Sequence, residues 1–122
     1  MNDIFRYIDQ FFSEEYELVI YGDYVTVGTS FEKKVEDSIP SNRKGLILGV
    51  AMTNTVNAEF DVKIEGKSAL RNPINAQSLP ANMELMPLMI PVDSRKTFSL
   101  EIRGVTASVS LAYRLVVLLK KR

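Results

Sequence analysis

The chain contains no cysteine, no histidine and no tryptophan. Without cysteine there is no disulfide framework, no thiol nucleophile and no thiolate metal site, and the redox compartment stays open because Cys-free chains occur everywhere. Without histidine the commonest general base and the commonest transition-metal ligand are gone. The lack of tryptophan removes the usual stacking platform for sugars, although five tyrosines remain. Net charge is also missing: fifteen Lys+Arg balance fifteen Asp+Glu, so the broad positive field of non-specific nucleic-acid binding is absent. Lys33–Lys34, Arg43–Lys44, Arg95–Lys96 and the terminal "KKR" are basic but interspersed with acids, which argues against a nucleic-acid partner. No phosphate-cradling G-x-x-x-x-G-K-[ST] or G-x-G-x-x-G, no G-x-S-x-G elbow and no calcium-loop pattern occurs. The apolar end "LAYRLVVLLKKR" is broken by Arg114 and falls short of the roughly 20 residues of a spanning helix. Asp3, Arg6 and Asp9 interrupt the amino terminus, so no secretion signal is expected.

What is present fits one globular domain: 122 residues, 46% hydrophobic and 25% charged, enough to bury a core without staples. At the amino terminus Ile4, Phe5, Tyr7, Ile8, Phe11 and Phe12 recur at the i, i+3, i+4, i+7 spacing of one helix stripe. Asn2 or Asp3 can cap its first turn. The spacing predicts a short amphipathic helix or arm over 1–14, followed by a β-sandwich domain over 15–122. A helix this short is marginal alone, below about 12–15 residues, so its stripe has to pack on its own sheet or on a neighbouring subunit.

From residue 16 the pattern changes to short β-rich segments. "YELVIYG" (16–22) and "DYVTVGTS" (23–30) read as two strands with a turn at Gly22–Asp23, and "FEKKVED" (31–37) as a third. "SIPSNRKG" (38–45) is turn chemistry. "LILGVAMT" (46–53) reads as a central strand buried on both faces, with Gly49 marking a bulge or close backbone approach. "AEFDVKIEG" places Phe60, Val62 and Ile64 inward and Glu59, Asp61, Lys63 and Glu65 outward. The polar stretch 67–82 reads as a long connection with a short strand at Ala69–Leu70. Pro87 inside "MELMPLMIP" (83–91) argues for an edge strand or a bulge. "TFSLEIRG" alternates through Phe98, Leu100 and Ile102. The last segment alternates strictly from Val105 to Leu115, which favours strand over helix. Its half beyond Arg114 is apolar at odd and even positions alike, as if covered on both faces. About eight strands with turn signals between them predict an all-β antiparallel sandwich or single jelly roll.

Few side chains in this pattern point to chemistry. Glu59, Asp61 and Glu65 form a carboxylate row around Lys63 that would suit calcium or an acid–base pair, but alternating strands carry charged solvent faces by default. Met83, Met86 and Met89 recur every three residues, as an adaptable apolar surface or as gap-filling core residues. No cofactor, no metal site and no catalytic residue is expected.

The second half, an alternating strand "AEFDVKIEG", a polar loop, a proline-bracketed "MELMPLMIP", then "RKTFSLEIRG" and "VSLAYRLVVLL", resembles small single-jelly-roll virion proteins of bacteriophages. Among these are the penton (vertex) proteins of tailless, membrane-containing phages. The resemblance spans about residues 57–119 and rests on residue types. It implies a non-enzymatic coat subunit, located in the virion, that packs against copies of itself and other coat proteins. The residues expected at such contacts are Phe5, Ile8, Phe11, Phe12, Met83, Met86, Pro87, Met89 and Pro91. The alternative is a β-sandwich binding module that recognises a carbohydrate or protein through the 67–82 loop.

Overall fold

Period-two alternation decides where the core sits. In the computed structural model, which describes residues 16–121, the strands are β1 (Tyr16–Val27), β2 (Glu32–Ser38), β3 (Arg43–Met52), β4 (Ala58–Ile64), β5 (Lys67–Ser68), β6 (Ile74–Asn75), β7 (Met86–Val92), β8 (Thr97–Gly104) and β9 (Val109–Lys121). A single 3-10 turn, Ala76–Ser78, is the one helical element among the described residues. Phe60 and Val62 of β4, Leu100 and Ile102 of β8, and Leu111 and Leu115 of β9 are fully buried. They face one another between two sheets, as in any sandwich whose inner faces interdigitate.

All pairings among the described residues are antiparallel. One sheet runs β1-β9-β3-β7 and the other β2-β8-β4, with β5 and β6 sharing the position beyond β4. The chain therefore passes back and forth between sheets, in the strand order of a single jelly roll. The prediction of a sandwich or jelly roll is met, with the fourth position of the second sheet split into two short strands.

Several local expectations hold with their physical reasons. β9 is buried on both faces past Arg114, where Val116 and Leu118 are as covered as Leu115 and Val117. Gly49 sits where β3 shifts register against both neighbours, and a Cβ there would collide with the Met86 carbonyl. β7 lies at an edge, as Pro87 required.

Other expectations need correction. There is no turn at Gly22–Asp23: β1 runs through both, with Gly22 opposite Arg114 and Asp23 opposite Tyr113. The thirteen-residue β9 offers ladder partners along the whole segment, and that pairing overrides the local turn propensity. The short strand lies at Lys67–Ser68 rather than Ala69–Leu70. Glu65 and Gly66, both at positive φ, make a two-residue hairpin turn whose twist suits the flanking strands. That hairpin brings Ser68 Oγ to donate to Asp61 Oδ1 at 2.7 Å, so Asp61 is buried and not on a solvated face. The amphipathic helix or arm of 1–14 lies outside the described residues.

Candidate functional site

Among the described residues the sandwich has four outer edges, and three carry devices that discourage further pairing. β2 is seven residues long, shifts register between Lys33 and Val35, and is charged at Glu32, Lys33, Lys34, Glu36 and Asp37. β5 and β6 are two residues each. β7 contains Pro87 and Pro91, holds Met89 at φ 54°, and carries an extra residue against β3. Prolines, bulges, charges and shortness are the means by which edges avoid becoming templates.

β1 has none of the strongest of these. It is twelve residues long, pairs with β9 in unbroken register, and contains no lysine, arginine or proline. The direction of its free backbone groups follows from its neighbours. Ala112, opposite Tyr24, spends both backbone groups on β3's end: its N–H donates to Thr53 Oγ1 at 2.9 Å and its carbonyl accepts from the Thr53 N–H at 3.0 Å. Tyr24 therefore turns its own groups away from β9. Its N–H donates to the side chain of Asp23 at 2.8 Å. Antiparallel ladders alternate, so Leu18, Ile20, Gly22 and Thr26 present their N–H and C=O at the open edge as Tyr24 does. The side chains of these residues share the outer face, where Ile20 is 55% and Tyr24 69% exposed.

That outer face is apolar beyond the edge. Leu48, Ala51, Leu85, Val116 and Leu118 form a second buried cluster, separate from the sandwich core, with Tyr16, Leu18, Leu46 and Met83 packed against it. Leu18 lies opposite Leu118, which lies opposite Leu46, so an apolar band crosses β1, β9 and β3.

Beneath the β1 edge a groove of about 420 Å³ separates it from β2, lined by residues that include Tyr21, Asp23, Lys34, Glu36 and Tyr113. The Tyr21 hydroxyl donates to Asp37 Oδ2 at 2.6 Å, and its ring meets Phe98 edge-on at 6.0 Å. Burial, then the Asp37 bond and charge, pushes the Tyr21 phenol well above its ordinary range. Burial, followed by the Asp23 charge, raises Tyr113 as well. Both phenols stay protonated near neutral pH: the Tyr21 hydroxyl ties β1 to β2 through Asp37, and the Tyr113 hydroxyl, on β9, donates to the Lys34 carbonyl of β2 at 3.4 Å.

The residues singled out from sequence are dispersed. Met83 belongs to the outer cluster and Met86 packs on the main core. Pro87, Met89 and Pro91 lie on the exposed side of β7. Phe5, Ile8, Phe11 and Phe12 lie outside the described residues. The 67–82 stretch is pinned at its middle: Asn75 Oδ1 caps the 3-10 turn by accepting the Gln77 N–H at 2.8 Å, and Ala76 and Leu79 are buried. The carboxylate row is engaged residue by residue. Glu59 accepts from Arg103 at 2.8 and 3.0 Å, and Glu65 accepts the Thr97 N–H at 2.7 Å. Lys63 of the same row pairs with Glu101 at 3.2 Å. Sequence reading missed the β1 edge because it cut the strand at Gly22. The signal was the continuing alternation of Val19, Tyr21, Val25 and Val27 across that glycine.

No family model and no curated protein sequence matches the chain. Among solved structures the chain is similar to the insecticidal delta-endotoxin Cry8Ea1 of Bacillus thuringiensis, at 18% identity and TM-score 0.47, covering 80% of this chain and 19% of the toxin. It is similar to the nucleoplasmin-like N-terminal domain of Drosophila FKBP39, at 11% identity and TM-score 0.48, covering 86% of this chain and 91% of that domain. It is also similar to VP2 of infectious bursal disease virus in its subviral particle, at 13% identity and TM-score 0.46, covering 88% of this chain and 33% of VP2.

Proposed function

We propose that this chain is a non-enzymatic structural subunit of a virus particle, as capsid, vertex or other coat component, working through subunit–subunit packing. The observation that supports this reading is the β1 edge. A twelve-residue strand ends one sheet with outward backbone groups and with Ile20 and Tyr24 exposed beside them, while the other edges are short, bulged, charged or proline-bearing. An open edge of this length invites aggregation unless a partner covers it, and an exposed tyrosine such as Tyr24 at such a place is typical of interface centres. The particle context comes from the resemblance of residues 57–119 to single-jelly-roll phage virion proteins.

Light scattering of the purified chain over a concentration series tests the reading. The expected result is a defined oligomer. A monomer at every concentration would count against a structural role built on self-packing.

A further inference from the structure

We infer that β1 pairs antiparallel with β1 of a second copy about a two-fold axis at Tyr21, joining two four-stranded sheets into one of eight strands. The inference rests on the structural-subunit reading and names the partner of its open edge.

The register follows from three conditions. The outward groups belong to the even-numbered residues, by the bonds of Ala112 and Tyr24, so even must face even in any self-pairing. Two-fold pairing of identical strands is isologous, so residue numbers across the axis sum to a constant. An axis at Tyr21 leaves only Val27 of Tyr16–Val27 without a facing residue in the partner strand, and an axis at Gly22 only Tyr16. Tyr21 is preferred because, where an axis at Gly22 pairs five outward residues, it pairs six: Leu18 with Tyr24, Ile20 with Gly22 and Tyr16 with Thr26 on each side of the axis. These pairs exchange about twelve ladder bonds in total.

The charges agree with this choice. β1 carries two acids, Glu17 and Asp23, and no base. An axis at Ile20 would oppose Glu17 to Asp23, and like charges directly opposite destabilise a sheet. With the axis at Tyr21, Glu17 faces Val25 and Asp23 faces Val19. Glu17 keeps its own partner, Arg43, at 2.6 Å. On the outer face the two copies of Ile20 become diagonal neighbours, and each Tyr24 ring covers a Leu18. The two most exposed large apolar side chains among the described residues, Tyr24 and Ile20, are thus both covered by one contact. The bond from the Tyr24 N–H to Asp23 is replaced by the ladder.

Analytical ultracentrifugation of the full chain, with Ile20→Lys on β1 and Met89→Lys on β7 as a matched pair, tests the inference. Both sites are exposed, so each variant should fold, and circular dichroism checks that it does. Wild type and Met89→Lys are expected to sediment as even-numbered oligomers, with Ile20→Lys weakening association by about tenfold or more as two ammonium groups meet near the axis. An oligomer that Ile20→Lys leaves intact, or that Met89→Lys disrupts as strongly, overturns β1 pairing in favour of the β7 contact expected from the sequence, while the structural-subunit reading stands. An odd-numbered ring overturns the two-fold. A wild-type monomer throughout overturns both.

Discussion

β1 and β7 border the same sheet from opposite sides, and they meet solvent in different ways. β7 closes its side with Pro87, Pro91 and the left-handed Met89, and it is held tightly enough against β3 that Gly49 has no room for a side chain. β1 closes its side with two acids, Glu17 and Asp23, the second of which captures one outward N–H. The difference lies in residue choice and not in topology, since both are outermost strands of one sheet. In the proposed pairing this difference has a use: the defended border faces solvent and the less defended one faces a second copy.

The sharpest way to probe the contrast is to add a methyl group at each border. Gly49→Ala forces the β3–β7 contact apart and is expected to cost about 1–3 kcal/mol in urea unfolding. Gly22→Ala on β1 meets the Tyr113 carbonyl at 3.0 Å and the flexible Arg114 side chain at 3.3 Å, with the Arg114 Cα at an ordinary 3.9 Å. Its reduced unfolded-state entropy offsets that crowding, so the expected change is within about 1 kcal/mol.

A second probe removes the defences of β7. Pro87→Val combined with Pro91→Val restores two backbone donors at an exposed edge. Stability is expected to move by about 1 kcal/mol or less, while the rate of turbidity growth on concentration rises above wild type. Unchanged solubility would mean that the prolines do not guard this border.

The smallest effect concerns acid. Glu32 accepts the Gly28 N–H at 2.7 Å just beyond the end of β1, and that bond, with Lys34 after it, lowers its pKa. A depressed folded-state pKa contributes stability above the unfolded value and loses it as pH falls through the folded one. Glu32→Gln should therefore flatten the acid limb of the stability profile slightly, because the carboxylate is exposed and screened. A parallel shift of the whole curve, with its slope unchanged, would assign Glu32 no linkage role.

Much of the fold could be read from alternation alone. Phe60 with Val62, Phe98 with Leu100, and the long run from Val109 carry the period of a strand in plain view, and Gly49 and Pro87 mark a close approach and an edge by their chemistry. The features that escaped depend on partners far away in sequence. Gly22–Asp23 looks like a turn until β9 is placed beside it, and Asp61 looks solvated until the Gly66 hairpin delivers Ser68. The open edge escaped for the same reason: whether a strand is outermost is a property of the sheet order and not of the strand. The aromatic stripe from Phe5 to Phe12 remains an expectation of the sequence.

The absence of cysteine makes one measurement unusually clean. In the proposed register Tyr21 faces itself across the axis as a non-hydrogen-bonded pair, with Cα atoms about 4.5 Å apart, inside the disulfide range of about 4.4–6.8 Å. Tyr21→Cys, oxidised mildly in a folded sample, is expected to form a covalent dimer on a non-reducing gel, while Met89→Cys under the same conditions remains monomeric. A folded Tyr21→Cys variant that fails to cross-link, or that cross-links no faster than Met89→Cys, would contradict the pairing of β1 with itself about Tyr21.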